Sequence, residues 1–190
     1  MQLAVILNNL GNILSEQSKM EKYSNIKNEK MTAGIQKCTQ AYKLAKELGM
    51  EKDMINPLYN LGCSLMFVFQ DCLYDRTKII PRITLDSYRG VRELPWAAES
   101  HFQEGLDLSQ KLDDKNRIGN FLFHLGHVAG CKAELAHFLQ KHGGAIGQKE
   151  IEYNKARDFF QQALEIFQQL GNSEKEKEVV EFMQHLDHFK

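Results

Sequence analysis

The sequence predicts an all-α chain built from repeated helix pairs, and three observations predict it. Three segments align: Asn8-Asn9-Leu10-Gly11-Asn12, Tyr59-Asn60-Leu61-Gly62-Cys63 and Phe123-His124-Leu125-Gly126-His127. A second set reads small-x3-large-x2-small: Gly34, Cys38, Ala41; Ala98, Phe102, Gly105; Ala156, Phe160, Ala163. A third closes amphipathic runs at Leu48-Gly49, Leu112-Asp113 and Leu170-Gly171. The spacing is constant. The first small residue lies 14 positions before its closing Leu (34 to 48, 98 to 112, 156 to 170). The first two closing leucines lie 13 positions before the next Leu-Gly (48 to 61, 112 to 125). Matched residue classes in constant register mark a repeat architecture.

Composition fits that reading. The chain has 190 residues, a length for one domain spanning 1–190. Its 43% hydrophobic and 26% charged residues are ordinary for a globular protein. Only 3 prolines suit long helices. A net charge of −1 disfavours a sequence-independent nucleic-acid binder, which needs many cations against phosphates. It equally disfavours a basic membrane-surface patch. The apolar run Leu3 to Leu7 stops at Asn8 and has no preceding Lys or Arg, unlike a signal peptide. Cys38, Cys63, Cys72 and Cys131 form no C-x-x-C pair and read as reduced thiols in a cytoplasmic protein.

The elements follow in order. A first helix is expected over about 2–21, with its partner over about 28–48 and Gly49 as the stop. The next begins near Asp53 or Asn56, where Pro57 suits a first turn because its missing N–H is harmless there. It continues to about Tyr74. Pro81, Gly90 and Pro95 make 76–94 irregular, with one short helix near Leu85 to Tyr88. Pro95 then opens a helix to Leu112. Asp113 or Asp114 caps a long helix to about His142, broken by Gly143-Gly144. The last repeat helix spans 150–170. A final helix, 173–189, starts with Glu174-Lys175-Glu176-Lys177-Glu178, a solvated face that suits a terminal cap. The repeats thus cover about 2–49, 53–112 and 115–171.

The motifs resemble the tetratricopeptide (TPR) repeat, in its longer-period form whose second helix ends in Leu-Gly. Ala156-x3-Phe160-x2-Ala163 matches the family's second-helix A-x3-F-x2-A, and Leu-Gly matches its first helix. The resemblance covers about residues 3–171. Departures are specific. The family's first-helix Trp is Leu7, Leu58 and Leu122 here, and Gly34 and Cys38 replace its Ala and aromatic. The resemblance implies a right-handed superhelical solenoid of three antiparallel helix pairs plus a C-terminal capping helix. It also implies a concave groove lined by first helices, in which residues flanking Leu-Gly bind a peptide or helical segment. Those residues are Asn9 and Asn12, Asn60 and Cys63, and His124 and His127, with Asn120 one turn earlier. An Asn amide both donates to and accepts from a peptide backbone. The family's carboxylate clamp is incomplete: its cations fall on Asn8, Asn120 and His124, so the groove predicts a neutral or pH-sensitive contact.

Other features stand outside the motif. From each Leu-Gly to the next small residue the gaps are 24, 37 and 31 (10 to 34, 61 to 98, 125 to 156). The usual gap is about 13, so each hairpin is expanded between its own helices. The segment 76–94 mixes Ile and Arg, an interface composition, with Tyr88, Arg89 and Arg92 as a second surface. At the amino-terminal end Leu3, Val5, Ile6 and Leu7 need cover. That predicts either a piece of a longer repeat protein or a homodimer through the uncapped first helix.

No catalytic motif is present, and no cofactor or metal is called for; an enzyme is the least supported class. His124, His127 and Cys131, at i, i+3 and i+7, share one helix face with ligand-type spacing but lack a fourth ligand. The sequence therefore predicts a protein-interaction adaptor or scaffold. Its alternatives are a structural module that stacks in a larger protein or homodimer, and a metal or small-molecule sensor.

Overall fold

Helices account for nearly all the described residues in a computed structural model: 2–22, 24–74, 85–141 and 148–187, with side chains at 2–22, 26–72, 93–140 and 148–187. The order is α1 (Gln2–Lys19), α2 (Ser24–Glu47), α3 (Glu51–Tyr74), α4 (Leu85–Lys111), α5 (Lys115–Lys141), α6 (Gln148–Leu170) and α7 (Ser173–Asp187). The chain divides into two units, Met1–Leu108 and Ser109–Lys190.

Three helices end in one way. The amides of Met50, Asp114 and Asn172 donate to the carbonyls of Ala45, Ser109 and Phe167 at 2.8, 2.9 and 2.9 Å. The residue before each amide is left-handed: Gly49 at φ 67°, Asp113 at 52° and Gly171 at 66°. This is the Schellman closure, which satisfies carbonyls that the helix leaves without a partner. Two of the following helices are capped at once. Asp114 Oδ1 accepts from the Arg117 amide at 3.1 Å, and Asn172 Oδ1 from the Lys175 amide at 3.2 Å.

In the first unit α1 and α2 form a hairpin, and α3 lies on α2 and, less extensively, on α1. A Cβ on Gly11 would come within 2.5 Å of Cys38 Sγ and 2.9 Å of the Gly34 carbonyl. The two backbones therefore approach too closely for any side chain. Cys38 in place of a large ring permits that approach. In the next pair a Cβ on Gly62 would overlap the Phe102 ring of α4. In the second unit α5 and α6 pair, and α7 packs on α6 and, to a smaller extent, on α5. There a Cβ on Gly126 would meet the Phe160 ring at 2.7 Å. The three repeated glycines thus occupy equivalent notches, each filled by the second residue of its small-large-small triplet.

Burial follows the same register. Ala41, Ala98, Phe102, Ala156, Phe160 and Ala163 are all buried. In α1, by contrast, the buried face is small and polar: Ala4, Asn8, Gly11, Ser15 and Ser18. Its polar groups are satisfied. Asn60 Nδ2 donates to Asn8 Oδ1 at 2.9 Å. Ser15 and Ser64 share a buried hydroxyl bond of 3.0 Å, and Ser18 donates to the Lys27 carbonyl at 2.7 Å. Leu3, Ile6, Leu10 and Ile13 face outward.

Several helix starts come earlier than the sequence expectation, α2 at Ser24 and α6 at Gln148 among them, and two of the earlier starts change the role of a proline. α3 begins at Glu51 and α4 at Leu85, so Pro57 and Pro95 lie inside helices and open neither. An interior proline forfeits a backbone bond and clashes with the preceding turn, at about 3 kcal/mol. Both rings are fully buried here, so packing offsets that cost. The expected irregular stretch therefore ends at Leu85. Residues 75–84 and 142–147, including the expected Gly143-Gly144 break, lie outside the described residues.

Candidate interaction surface

The residues flanking the notch glycines keep the accessible edge of each first helix. In α1, Asn9 and Asn12 are exposed. In α3, Asn60 and Cys63 are half-buried. In α5 the selection is sharper: from Gly119 to Ala133, all of them described, only Asn120, His124 and His127 escape burial. The cause is packing. Gly119 and Gly126 turn toward Phe167 and Phe160 of α6, and the apolar residues between them fill the unit's core. That leaves one narrow polar stripe at helical spacing.

The stripe residues differ in how they are held. Asn60 is engaged with Asn8, so its amide ties α3 to α1. Asn120 Nδ2 donates to the Asn116 carbonyl at 2.9 Å, along its own helix. The His124 ring meets Phe123 edge-on at 5.2 Å. The His127 ring packs on Phe182 of α7 at 5.0 Å. Burial lowers His127 to about 4, with His185 acting in the same direction and Glu178 opposing. An imidazole buried beside a phenyl ring pays to become charged. Any pH-sensitive contact expected of His127 is therefore silent near neutrality, where the ring is uncharged.

Cys131 lies one turn beyond His127 and is buried, with its thiol shifted upward by desolvation and by Glu134. Among the described residues no three His, Cys, Asp or Glu side chains gather as a metal site requires. The helical spacing of His124, His127 and Cys131 does not make them converge on a metal position. The side chains of Tyr88, Arg89 and Arg92 lie outside the described residues, although their backbone belongs to α4.

One feature gave no sequence signal. A hollow of about 300 Å³ is lined by Asn154, Arg157, Asp158 and Gln161 of α6 and Met183 of α7. Its polar residues sit on an ordinary solvated helix face, and only the approach of α7 gives them a wall. Among the described residues no helix is long and apolar enough to cross a membrane. No family model matches this chain, and no curated protein sequence matches it significantly.

Proposed function

We propose that the chain is a protein-interaction adaptor of TPR-like design: three helix pairs, α1–α2, α3–α4 and α5–α6, with α7 as the capping helix. In this reading the pairs wind as a right-handed superhelical solenoid. Each first helix presents its stripe to a peptide or helical segment. Asn9 and Asn12 offer amides to a peptide backbone. Cys63 and His124 supply partly apolar contacts. The observation that carries the reading is that Asn120 and His124 stay half-accessible, with His127 largely covered by Phe182, on a helix whose other central residues are buried. Solvation alone does not require three polar side chains in one register within so apolar a helix. The cysteines, unlinked by any disulfide, suit a cytoplasmic setting.

The test is capture of partners from a cell lysate by the wild type beside an Asn9→Ala, Asn12→Ala, His124→Ala variant. Asn60 is left intact, because its loss would also strip Asn8 of its partner. A protein retained by the wild type and lost by a folded variant is the expected result. Equal retention by both removes the stripe from binding. Retrieval of nothing but the chain itself favours the structural-module alternative.

A further inference from the structure

The outward face of α1 carries Leu3, Ile6, Leu10 and Ile13, exposed by 58, 58, 41 and 53%. Their spacing of three, four and three residues is that of an a/d seam in a two-helix coil. The face lies opposite Ala4, Asn8, Gly11 and Ser15, which α1 buries within its own unit. The helix therefore spends its small and polar residues inside and leaves its large apolar ones outside. The repeat shows what such positions ordinarily do. Aligning Leu10 with Leu61 places the four seam residues on Met54, Pro57, Leu61 and Ser64 of α3, and all four are buried. Aligning Leu10 with Leu125 places Ile6 on Phe121 and Ile13 on Val128, which are buried too.

We propose that this face self-associates: α1 of one chain packs antiparallel on α1 of a second copy, about a two-fold axis that crosses the seam midway between Ile6 and Leu10. Three observations select a second copy. From Gln2 to Ser15 the helix carries no charge, so a face set against its own likeness meets no like-charge repulsion. The seam is self-complementary in the antiparallel sense, matching Leu3 with the second copy's Ile13 and Ile6 with its Leu10. The pairing also brings Glu16 toward the amino-terminal end of the opposite helix, whose first turn holds no acidic residue. Glu16 Oε1 accepts from Lys19 Nζ at 2.6 Å, and its other oxygen has no partner among the described residues. One helix seam covers less than the roughly 800 Å² per partner of a stable interface, so association is weak, on the order of 10 μM.

Sedimentation of the full chain from about 1 to 200 μM tests this, since mass action makes dimer content depend on concentration. The expected mass rises with concentration from 21.9 kDa toward twice that value. Ile6→Lys alone and Leu10→Glu alone each stay monomeric at all concentrations. Their equimolar mixture dimerises again, because the geometry sets the introduced lysine of one variant against the introduced glutamate of the other in one layer. The second layer then regains its apolar pair of Leu10 and Ile6. Both positions are exposed, and thermal unfolding at the lowest concentration checks that each variant is folded. A wild type that stays monomeric throughout overturns the proposal and leaves the face to another occupant. Association of either single variant at wild-type strength overturns it, as does a mixture that fails to recover.

Discussion

The Phe160 ring stands where a methyl group on Gly126 would have to go, with its edge 2.7 Å from that position. An aromatic ring wedged among Phe123 and Phe182 cannot swing aside as a flexible chain could. Gly126→Ala is therefore expected to destabilise the second unit by about 1–3 kcal/mol of overpacking, less the roughly 1 kcal/mol of helix propensity that alanine returns. Four residues on, Gly130 tests the argument with the opposite sign. A Cβ there meets Leu186 Cδ1 at 3.6 Å, an ordinary contact. Gly130→Ala should stabilise by up to about 1 kcal/mol. Denaturant midpoints of the two variants are the measurement.

Asp113 closes α4 in the left-handed region that Gly49 and Gly171 occupy at the equivalent helix ends. A side chain there costs about 1–2 kcal/mol, less for Asp than for most residues. Asp113→Gly is expected to raise stability by about 0.5–1 kcal/mol. Gly171→Ala, at φ +66° with open space around it, should lower stability by about 1–2 kcal/mol through strain alone. Thermal unfolding of both separates backbone strain from crowding.

Asn8 and Asn60 form one amide pair between α1 and α3. Removing either member leaves the other amide in a part-buried site, at about 1–3 kcal/mol. Replacing both should cost less than the two single losses together. A double-mutant cycle of Asn8→Ala and Asn60→Ala is expected to return a coupling of about 1 kcal/mol.

His127 titrates near 4 in the folded chain, against about 6.5 when unfolded. The unfolded chain therefore takes up its proton first as acid is added. The stability linked to the neutral ring is complete above about pH 6.5 and declines as pH falls toward 4, by at most about 3 kcal/mol. Glu178 and His185 modulate this in opposite senses. His101 of the first unit is lowered too, by burial against the opposing pull of Glu104. The informative quantity is thus the difference between wild type and His127→Leu across pH 4–7, by chemical denaturation. The variant should show the shallower acid slope.

Features fixed by short-range chemistry were legible in the sequence. Leu48-Gly49, Leu112-Asp113 and Leu170-Gly171 announce helix closures because the Schellman turn needs only neighbouring residues. The glycine notches were legible because Gly62 and Gly126 are each followed by a small-large-small triplet in one register with its closing Leu, although the gap between glycine and ring varies. The start of α4 was not. Local rules stop a helix before Pro95, and only its burial within the unit overrides them. The role of Asn60 was hidden for a similar reason. An amide reads as a groove ligand until Asn8, 52 residues away, is seen to occupy it. Asn120, His124 and His127 stood out as polar residues in an apolar run, whereas the polar hollow of α6 had no contrast to reveal it.

The first notch holds a thiol where the other two hold rings. Cys38 is fully buried against Gly11, and burial pushes its pKa to about 11. An alkylating reagent attacks the thiolate, so this sulfur is silent while α1 and α2 stay together. Cys131 of α5, also buried and also raised, keeps the same silence in the second unit. The protein thus carries two native chemical clocks, one in each unit. Their labelling rates time the opening of each unit separately, without any probe being added to the chain.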